Sequence, residues 1–161
     1  VVVMLTGLWD FTDRRMPQWE GYRGVGDPEY DEWLLSEYEA AVDVLSAGGG
    51  HIVWLTTPCA EDLRGGVLTG TAAWDDDRLA QHNEVLLPEL AARRDEVSLF
   101  DLHALACPEG AYTDTLGGFE NSRRDGAHFS EGAAKGNDLL VLELPPVKPP
   151  VVVPVIELFL K

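Results

Sequence analysis

Three short apolar runs along the chain predict the strands of a parallel β-sheet. They cover residues 1–6, 51–56 and 97–102. Polar and apolar residues do not alternate cleanly in any of them, which is typical of strands whose sheet is covered on both faces. Amphipathic segments separate the runs, so we expect strands and helices to alternate along the chain.

The segment between the first two runs predicts a long helix. Asp27 is suited to cap its start, with Pro28 at the first helical position. The glycines at 48–50 are suited to end it. Apolar residues recur on one face between these signals, as in an amphipathic helix. They are Leu34, Tyr38, Ala41, Val42 and Leu45.

A second helix is predicted to begin near residues 75–77, where three aspartates suit the positive end of a helix. Pro88 is expected to kink it, because proline removes one backbone hydrogen bond. A short final helix is predicted near residues 130–135. The inward stripe of the second helix is formed by Leu79, Asn83, Leu86, Leu87 and Leu90.

This order of elements predicts an α/β fold, in which right-handed crossovers build three α/β/α layers around a parallel sheet. Ligands of such sheets bind beyond the carboxyl ends of the strands. The segments at that edge are residues 7–27, 57–74 and 103–130. All three are longer than the roughly 2–6 residues usual for such loops, so we expect the functional residues there.

Composition limits the chain to one domain and divides it into two parts. It has 161 residues, 45% of them hydrophobic, and a net charge of −16, which disfavours nucleic acid as a partner. Residues 1–134 hold every arginine and 25 of the 28 acidic residues, whereas residues 135–161 hold every lysine and are neutral. We interpret 1–134 as the domain and 135–161 as a proline-rich tail, either a foreign sequence or a genuine extension.

The chain begins with Val1 inside a predicted core strand, so we expect further residues to precede it. The opening run lacks the basic flank and cleavage site of a signal peptide. It is also far shorter than the ~20 apolar residues that span a bilayer.

Two short patterns carry candidate chemistry. Asp125 and His128 form a D-x-x-H turn, which can supply a base and its orienting carboxylate from one loop. Gly7 directly follows the first predicted strand, where its N–H can bind an oxyanion. Each pattern also occurs as an ordinary polar turn, and spacing alone leaves both interpretations open.

Several stretches together resemble the SGNH (GDSL-type) hydrolase superfamily. The resemblance is closest to the SGNH domains fused to integral-membrane acyltransferases that O-acetylate cell-surface glycans. It covers residues 1 to about 134, and the motif at 124–130 (RDGAHFS) is its most specific part. The other stretches are 1–13, 26–45, 52–59, 78–83 and 97–108.

The resemblance implies a flavodoxin-like fold and acyl-ester chemistry, with Asp125 and His128 as the acid and base of a triad. The family's G-x-N-D block falls on residues 7–10, so Gly7 and Asp10 match while Trp9 stands where an asparagine would donate to the oxyanion. The nucleophilic serine belongs to a Gly-Asp-Ser motif on an earlier strand. No such motif occurs here, so the domain is expected to be N-terminally incomplete and inactive alone.

The resemblance also implies an acylated glycan or small ester as substrate, no cofactor, and a location outside the cytoplasm as part of a membrane-anchored parent. Cys59 and Cys107 follow the second and third strands, and such a domain can join them in a disulfide. Two free thiols are the alternative. A rival hypothesis for the whole chain is a non-catalytic carbohydrate-binding or interaction module that keeps the fold and lacks the nucleophile.

The remaining candidates have structural interpretations that we prefer. The histidines are scattered, without the spacing of a zinc site. His51 and His82 are predicted to be structural, and Arg78 and Asn83 to anchor a helix to a loop. Asp10 and Asp13 are expected to cap or to pair with arginine. Three loop aromatics can stack on a sugar ring, although loop packing is the favoured role: Trp19, Tyr22 and Trp74.

Overall fold

A computed structural model of the protein describes residues 1–61 and 72–130. Its three strands form one parallel sheet in the order β1-β2-β3, with Val2, Ile52 and Val97 aligned across it. The predicted parallel sheet is confirmed, and each strand is shorter than its apolar run. The strands are β1 (Val2–Leu5), β2 (Ile52–Leu55) and β3 (Val97–Phe100).

The first predicted helix is confirmed as α1, Pro28–Ser46. The Asp27 carboxylate accepts hydrogen bonds from the backbone N–H groups of Glu29 and Tyr30, at 2.9 and 3.4 Å. This capping satisfies two of the amides that the first turn leaves without helical partners. The face that the helix turns inward holds its buried residues, which are Tyr30, Leu34, Leu35, Tyr38 and Val42.

The second predicted helix is a continuous helical run of three parts. It comprises α2 (Asp76–Ala80), a π-helical turn (Gln81–Leu86) and α3 (Leu87–Arg93). The wide turn ends two residues before Pro88, whose ring would crowd the carbonyl four residues earlier in a regular α-helix. A lost backbone bond was expected at Pro88, and the helix accommodates it by widening the preceding turn.

The helices cover one face of the sheet, and the other face is partly open. Ile52 and Trp54 are fully buried beneath α1 and the second helical run. Leu5 and Phe100 point to the opposite side and are 46% and 45% exposed. We expected both faces to be covered, but the described residues build two layers. The physical reason is the sequential strand order, because right-handed crossovers that advance in one direction put both helices on one side.

Short helices occupy the segments that were predicted as long loops. The short elements are 3-10 helices at Leu8–Phe11, Ala72–Trp74 and Pro108–Gly110, and α4 at Leu102–Ala106.

Among the described residues, none of the helices is long and apolar enough to cross a membrane. The tail at 135–161 and nearly all of the predicted final helix lie outside the described residues, as does the domain boundary at 134.

Candidate active site

The turn that carries Asp125 and His128 brings the two side chains together. Oδ2 of Asp125 lies 2.6 Å from Nδ1 of His128. The other carboxylate oxygen accepts the backbone N–H groups of Ala127 and His128, at 3.0 and 2.8 Å. Gly126 between them has a φ of +87°, a conformation that glycine adopts without strain. The local sequence therefore forms a compact turn closed by its own carboxylate.

This geometry selects the tautomer of the neutral imidazole. The hydrogen bond from His128, followed by those from the two amides, holds the pKa of the Asp125 carboxyl well below its usual range. An ionised carboxylate only accepts hydrogen bonds, so Nδ1 of His128 carries the proton. The His128 side chain is 88% exposed. Its Nε2 is thereby left as an open acceptor facing solvent, the arrangement that a general base requires.

Arg123 attaches this turn to the loop that follows β2. Its guanidinium donates to the carbonyl of Cys59 and, at 3.3 Å, to the carbonyl of Ala127. The N–H of Glu61 donates to the carbonyl of Gly126 at 3.0 Å and makes a second attachment. The turn therefore lies against residues 59–61 at the carboxyl edge of the sheet.

A disulfide between Cys59 and Cys107 ties the same loop to the segment after α4. The two Cα atoms are 6.1 Å apart, and both residues are buried. Of the two states that the sequence left open, the structure has the bonded one. The covalent link fixes the carbonyl of Cys59, which is one of the groups that hold Arg123.

The residues of the G-x-N-D block lie in a separate part of the same edge. Gly7 precedes the 3-10 helix at Leu8–Phe11 with an extended backbone, and the space over its Cα is open. The Trp9 side chain is 58% exposed. The Asp10 carboxylate is 3.6 Å from the guanidinium of Arg14. Burial raises the pKa of the Asp10 carboxyl, and the charge of Arg14 partly offsets that effect.

No hydrogen bond, ion pair or ring contact within the described ranges joins this block to Asp125 or His128. The two groups meet indirectly, through the loop after β2. The hydroxyl of Thr57 donates to the carbonyl of Thr6 at 3.0 Å, and Cys59, two residues later, contacts Arg123. The structure thus places both predicted groups around residues 57–61 without direct contact.

A buried polar network beneath this loop was only partly predicted. His82 is 0% exposed; Nε2 lies 3.0 Å from the Tyr38 hydroxyl and 3.2 Å from that of Thr6. Its Nδ1 faces Oδ1 of Asn83 at 3.1 Å. Burial lowers the pKa of His82 to about 4, so the ring is neutral and structural, as expected. The Asn83 amide also bonds the N–H and the carbonyl of Thr57, which anchors helix to loop.

Arg78 anchors the loop after β1 in the way the sequence suggested. It donates to the carbonyl of Phe11 at 2.5 Å and pairs with Asp13 at 2.8 Å. Gly24, for which the sequence carries no signal beyond its being a glycine, lies against this pair. A Cβ added there would overlap the guanidinium and the carboxylate. Arginine pairing, expected for Asp10 and Asp13, is therefore what the structure has.

The loop aromatics differ in their exposure. Trp19 is buried in a cluster with Tyr30 and Trp33, with ring centroids 5.7 and 5.5 Å away, so packing is its role. Tyr22 is exposed. Trp74 is half-buried and lines a shallow hollow. The hollow is completed by Leu8, Phe11, Ala60, Asp75, Asp76 and Leu79.

The sequence contains no Gly-Asp-Ser motif, which is where the resemblance places the nucleophile. No serine hydroxyl of residues 1–61 and 72–130 is hydrogen-bonded to His128, and Ser122 is buried with its hydroxyl on the carbonyl of Phe119. The same part of the chain holds no group of three or more His, Cys, Asp or Glu arranged for a metal. In comparisons with known proteins, no family model and no curated sequence matches this chain.

Proposed function

We propose that the chain is part of an ester hydrolase or O-acyltransferase domain of the SGNH type that acts on acylated carbohydrate. The observation that carries the proposal is the pairing of Asp125 with His128, with Nδ1 bound to the carboxylate and Nε2 open to solvent. A base held in this state can take a proton from a hydroxyl. The serine that carries this hydroxyl is proposed to come from a segment upstream of Val1.

In the proposed reaction the serine oxygen attacks the ester carbonyl while its proton passes to Nε2 of His128. Asp125 stabilises the imidazolium that forms. The imidazolium then protonates the departing alcohol, which leaves an acyl-serine. Water or a sugar hydroxyl next attacks this acyl group and gives its proton to His128. The acyl–serine bond then breaks and His128 returns the proton to the serine oxygen, so the enzyme is restored.

The N–H of Gly7 is the proposed oxyanion donor from this chain, and the open space over its Cα lets a substrate approach. In this structure the Gly7 backbone is hydrogen-bonded to the Asp10 carboxyl, so the substrate oxygen would have to displace that carboxyl. Trp9 lacks the amide that the family pattern has at its position. Missing one oxyanion donor raises the barrier by ~3–4 kcal/mol. We therefore propose slow turnover, or a donor supplied from elsewhere in the complete domain.

The three-layer form of the fold and the location outside the cytoplasm belong to the same proposal. The open apolar side of the sheet supports a third layer, since parallel sheets are almost always covered on both faces. The Cys59–Cys107 disulfide supports an oxidising compartment, because such bonds persist there. A membrane-anchored acyltransferase parent agrees with both features.

The experiment compares the chain with a version extended by its upstream coding region, using para-nitrophenyl acetate and a fluorophosphonate probe. We expect the extended protein to hydrolyse the ester and to be labelled on serine. His128→Ala should remove both properties, while His51→Ala, at an exposed histidine just before β2, leaves them intact. Hydrolysis by the unextended chain that His128→Ala abolishes would refute the upstream serine.

The second candidate is a non-catalytic carbohydrate-binding module. Two observations favour it: the 58% exposed Trp9 beside an open strand end, and the absence of a serine bonded to His128 in the described ranges. Aromatic rings of this kind bind sugar faces. Calorimetric binding of an acetylated oligosaccharide that Trp9→Ala abolishes and His128→Ala preserves, without any esterase activity in the extended protein, would select this candidate.

A further inference from the structure

Arg123 is a buried cation without a carboxylate partner among residues 1–61 and 72–130. Its side chain is 1% exposed, and no ion pair with it is formed in that part of the protein. Nε and Nη2 donate to carbonyls, whereas the buried Nη1 has no hydrogen-bond partner there. Burying an unpaired charge is costly, so stability alone gives little reason for an arginine at this position.

Two aromatic rings offset part of that cost. The guanidinium carbon lies 5.0 Å from the ring centre of Tyr112 and 5.2 Å from that of Phe129. Both distances are within the range of cation–π attraction. The rings also prevent the guanidinium from turning, which leaves its N–H groups in fixed directions.

These fixed directions connect the disulfide to the catalytic turn. The Arg123 guanidinium is a planar fork of N–H groups. Its Nη2 donates to the carbonyl of Cys59, and its Nε donates to the carbonyl of Ala127, the residue before His128. The main chain of Arg123 is held as well, because its carbonyl accepts from the N–H of Gly126 and from the Tyr112 hydroxyl. Arg123 therefore restrains both the start and the end of the D-x-x-H turn.

We propose that Arg123 is a positioning residue for His128, which holds the turn against the disulfide-linked loop and so fixes the tautomer and direction of the imidazole. The effect of Arg123 on catalysis rests on the function proposed above. Its effect on the tautomer of His128 can be tested without turnover. Lysine cannot replace it fully, since an ammonium lacks the planar fork that reaches two carbonyls at once.

The test measures the ring-nitrogen shifts of His128 by NMR in the 15N-histidine-labelled chain, at a pH where the imidazole is neutral. We compare Arg123→Met, Arg123→Lys and, as a matched control, Arg124→Met, which removes the same charge from an exposed position. The wild type should show the Nδ1–H form. Arg123→Met should shift the tautomer ratio by about tenfold toward that of an unrestrained imidazole, the effect of losing one charged hydrogen bond.

Arg123→Lys should give an intermediate ratio, and Arg124→Met should leave it unchanged. Full rescue by lysine would mean that only the charge matters and would overturn the proposed role of the fork. Because Arg123 is buried, Tyr112→Phe provides a milder variant that removes one hydroxyl and keeps the ring; we expect a smaller shift in the same direction. Far-UV circular dichroism identifies the variants that fold.

Unchanged ratios in every folded Arg123 and Tyr112 variant would overturn the proposal, even if these variants are less stable, because a purely structural role does not move the tautomer. Failure of the proposed function is recognised separately. In that case the extended protein lacks esterase activity and serine labelling, while the dependence of the His128 tautomer on Arg123 persists.

Discussion

Two histidines of this protein have opposite surroundings, and the comparison separates a structural role from a chemical one. His82 is enclosed in the core, and its partners Thr6 and Tyr38 come from a strand end and a different helix. His128 is on the surface, and its carboxylate partner is three residues away. The first ring joins distant elements of the fold. The second is held locally and leaves one nitrogen open to solvent.

The two surroundings also set the charge of each region. Burial keeps His82 neutral, and its pKa is about 4. His128 instead faces an ionised carboxylate, whose pKa its own hydrogen bond holds below the usual range. Only the second arrangement stabilises a transferred proton. We therefore look for chemistry at His128 and for stability at His82.

The largest expected effect comes from the loop between the two regions. Residues 57–59 contact Asn83 on one side and Arg123 on the other, and Cys59 forms the disulfide. Replacing both cysteines by alanine should lower the free energy of unfolding by about 4 kcal/mol, the loop-entropy value for cysteines 48 residues apart. Urea denaturation measures the change. Identical midpoints for the wild type with and without reductant would contradict it.

The D-x-x-H pair could be predicted because the motif is local. Asp125 and His128 are three residues apart, and a glycine between them permits the turn whatever the rest of the chain does. The partners of His82 could not be predicted, since sequence spacing does not show which loop meets which helix. The sequence does not distinguish Arg123 from its neighbour Arg124. Only the fold shows that Arg123 is buried between two aromatic rings.

The strand positions were also predictable, because apolar runs bounded by glycine and charge are a local signal. The way the described helices cover the sheet was not predictable. It depends on whether the chain reverses its direction across the sheet, and that is a property of strand order. Leu5 and Phe100 illustrate this: their apolar character predicted burial, but both are nearly half exposed on the side of the sheet that the helices do not cover.

A smaller effect is expected from the titration of His82. Its folded pKa is about 4, below the ordinary histidine value of 6.5 that holds in the unfolded chain, so the unfolded chain binds more protons between these values. Stability from the neutral ring is fully present above pH 6.5 and is lost as the pH falls toward 4. From pH 7 to pH 5 the wild type should lose about 1–2 kcal/mol that His82→Gln does not lose.

Denaturant unfolding at pH 7 and pH 5 gives the slope of the free energy of unfolding against pH for each protein. Subtracting the slope of His82→Gln from that of the wild type removes the contributions that the two proteins share. His51→Gln is the matched control, since this histidine is exposed and its ring is hydrogen-bonded to the hydroxyl of Ser98. It should keep the wild-type slope. Equal slopes for wild type and His82→Gln would show that His82 is not the group that titrates.

The smallest expected effect is on stability at the proposed site itself. The exposed His128 ring buries little surface, so His128→Ala should change the free energy of unfolding by no more than about 0.5 kcal/mol at pH 7. The lowered pKa of Asp125 adds stability that is present at neutral pH. That stability is lost only as the pH falls below the ordinary range of an aspartate, which lies below the window of His82. Denaturant unfolding of His128→Ala and of His82→Ala at pH 7 compares the two losses of stability. If His128→Ala destabilised the protein as much as His82→Ala, the exposed histidine would be a structural residue too, and its open nitrogen would no longer single it out as the base.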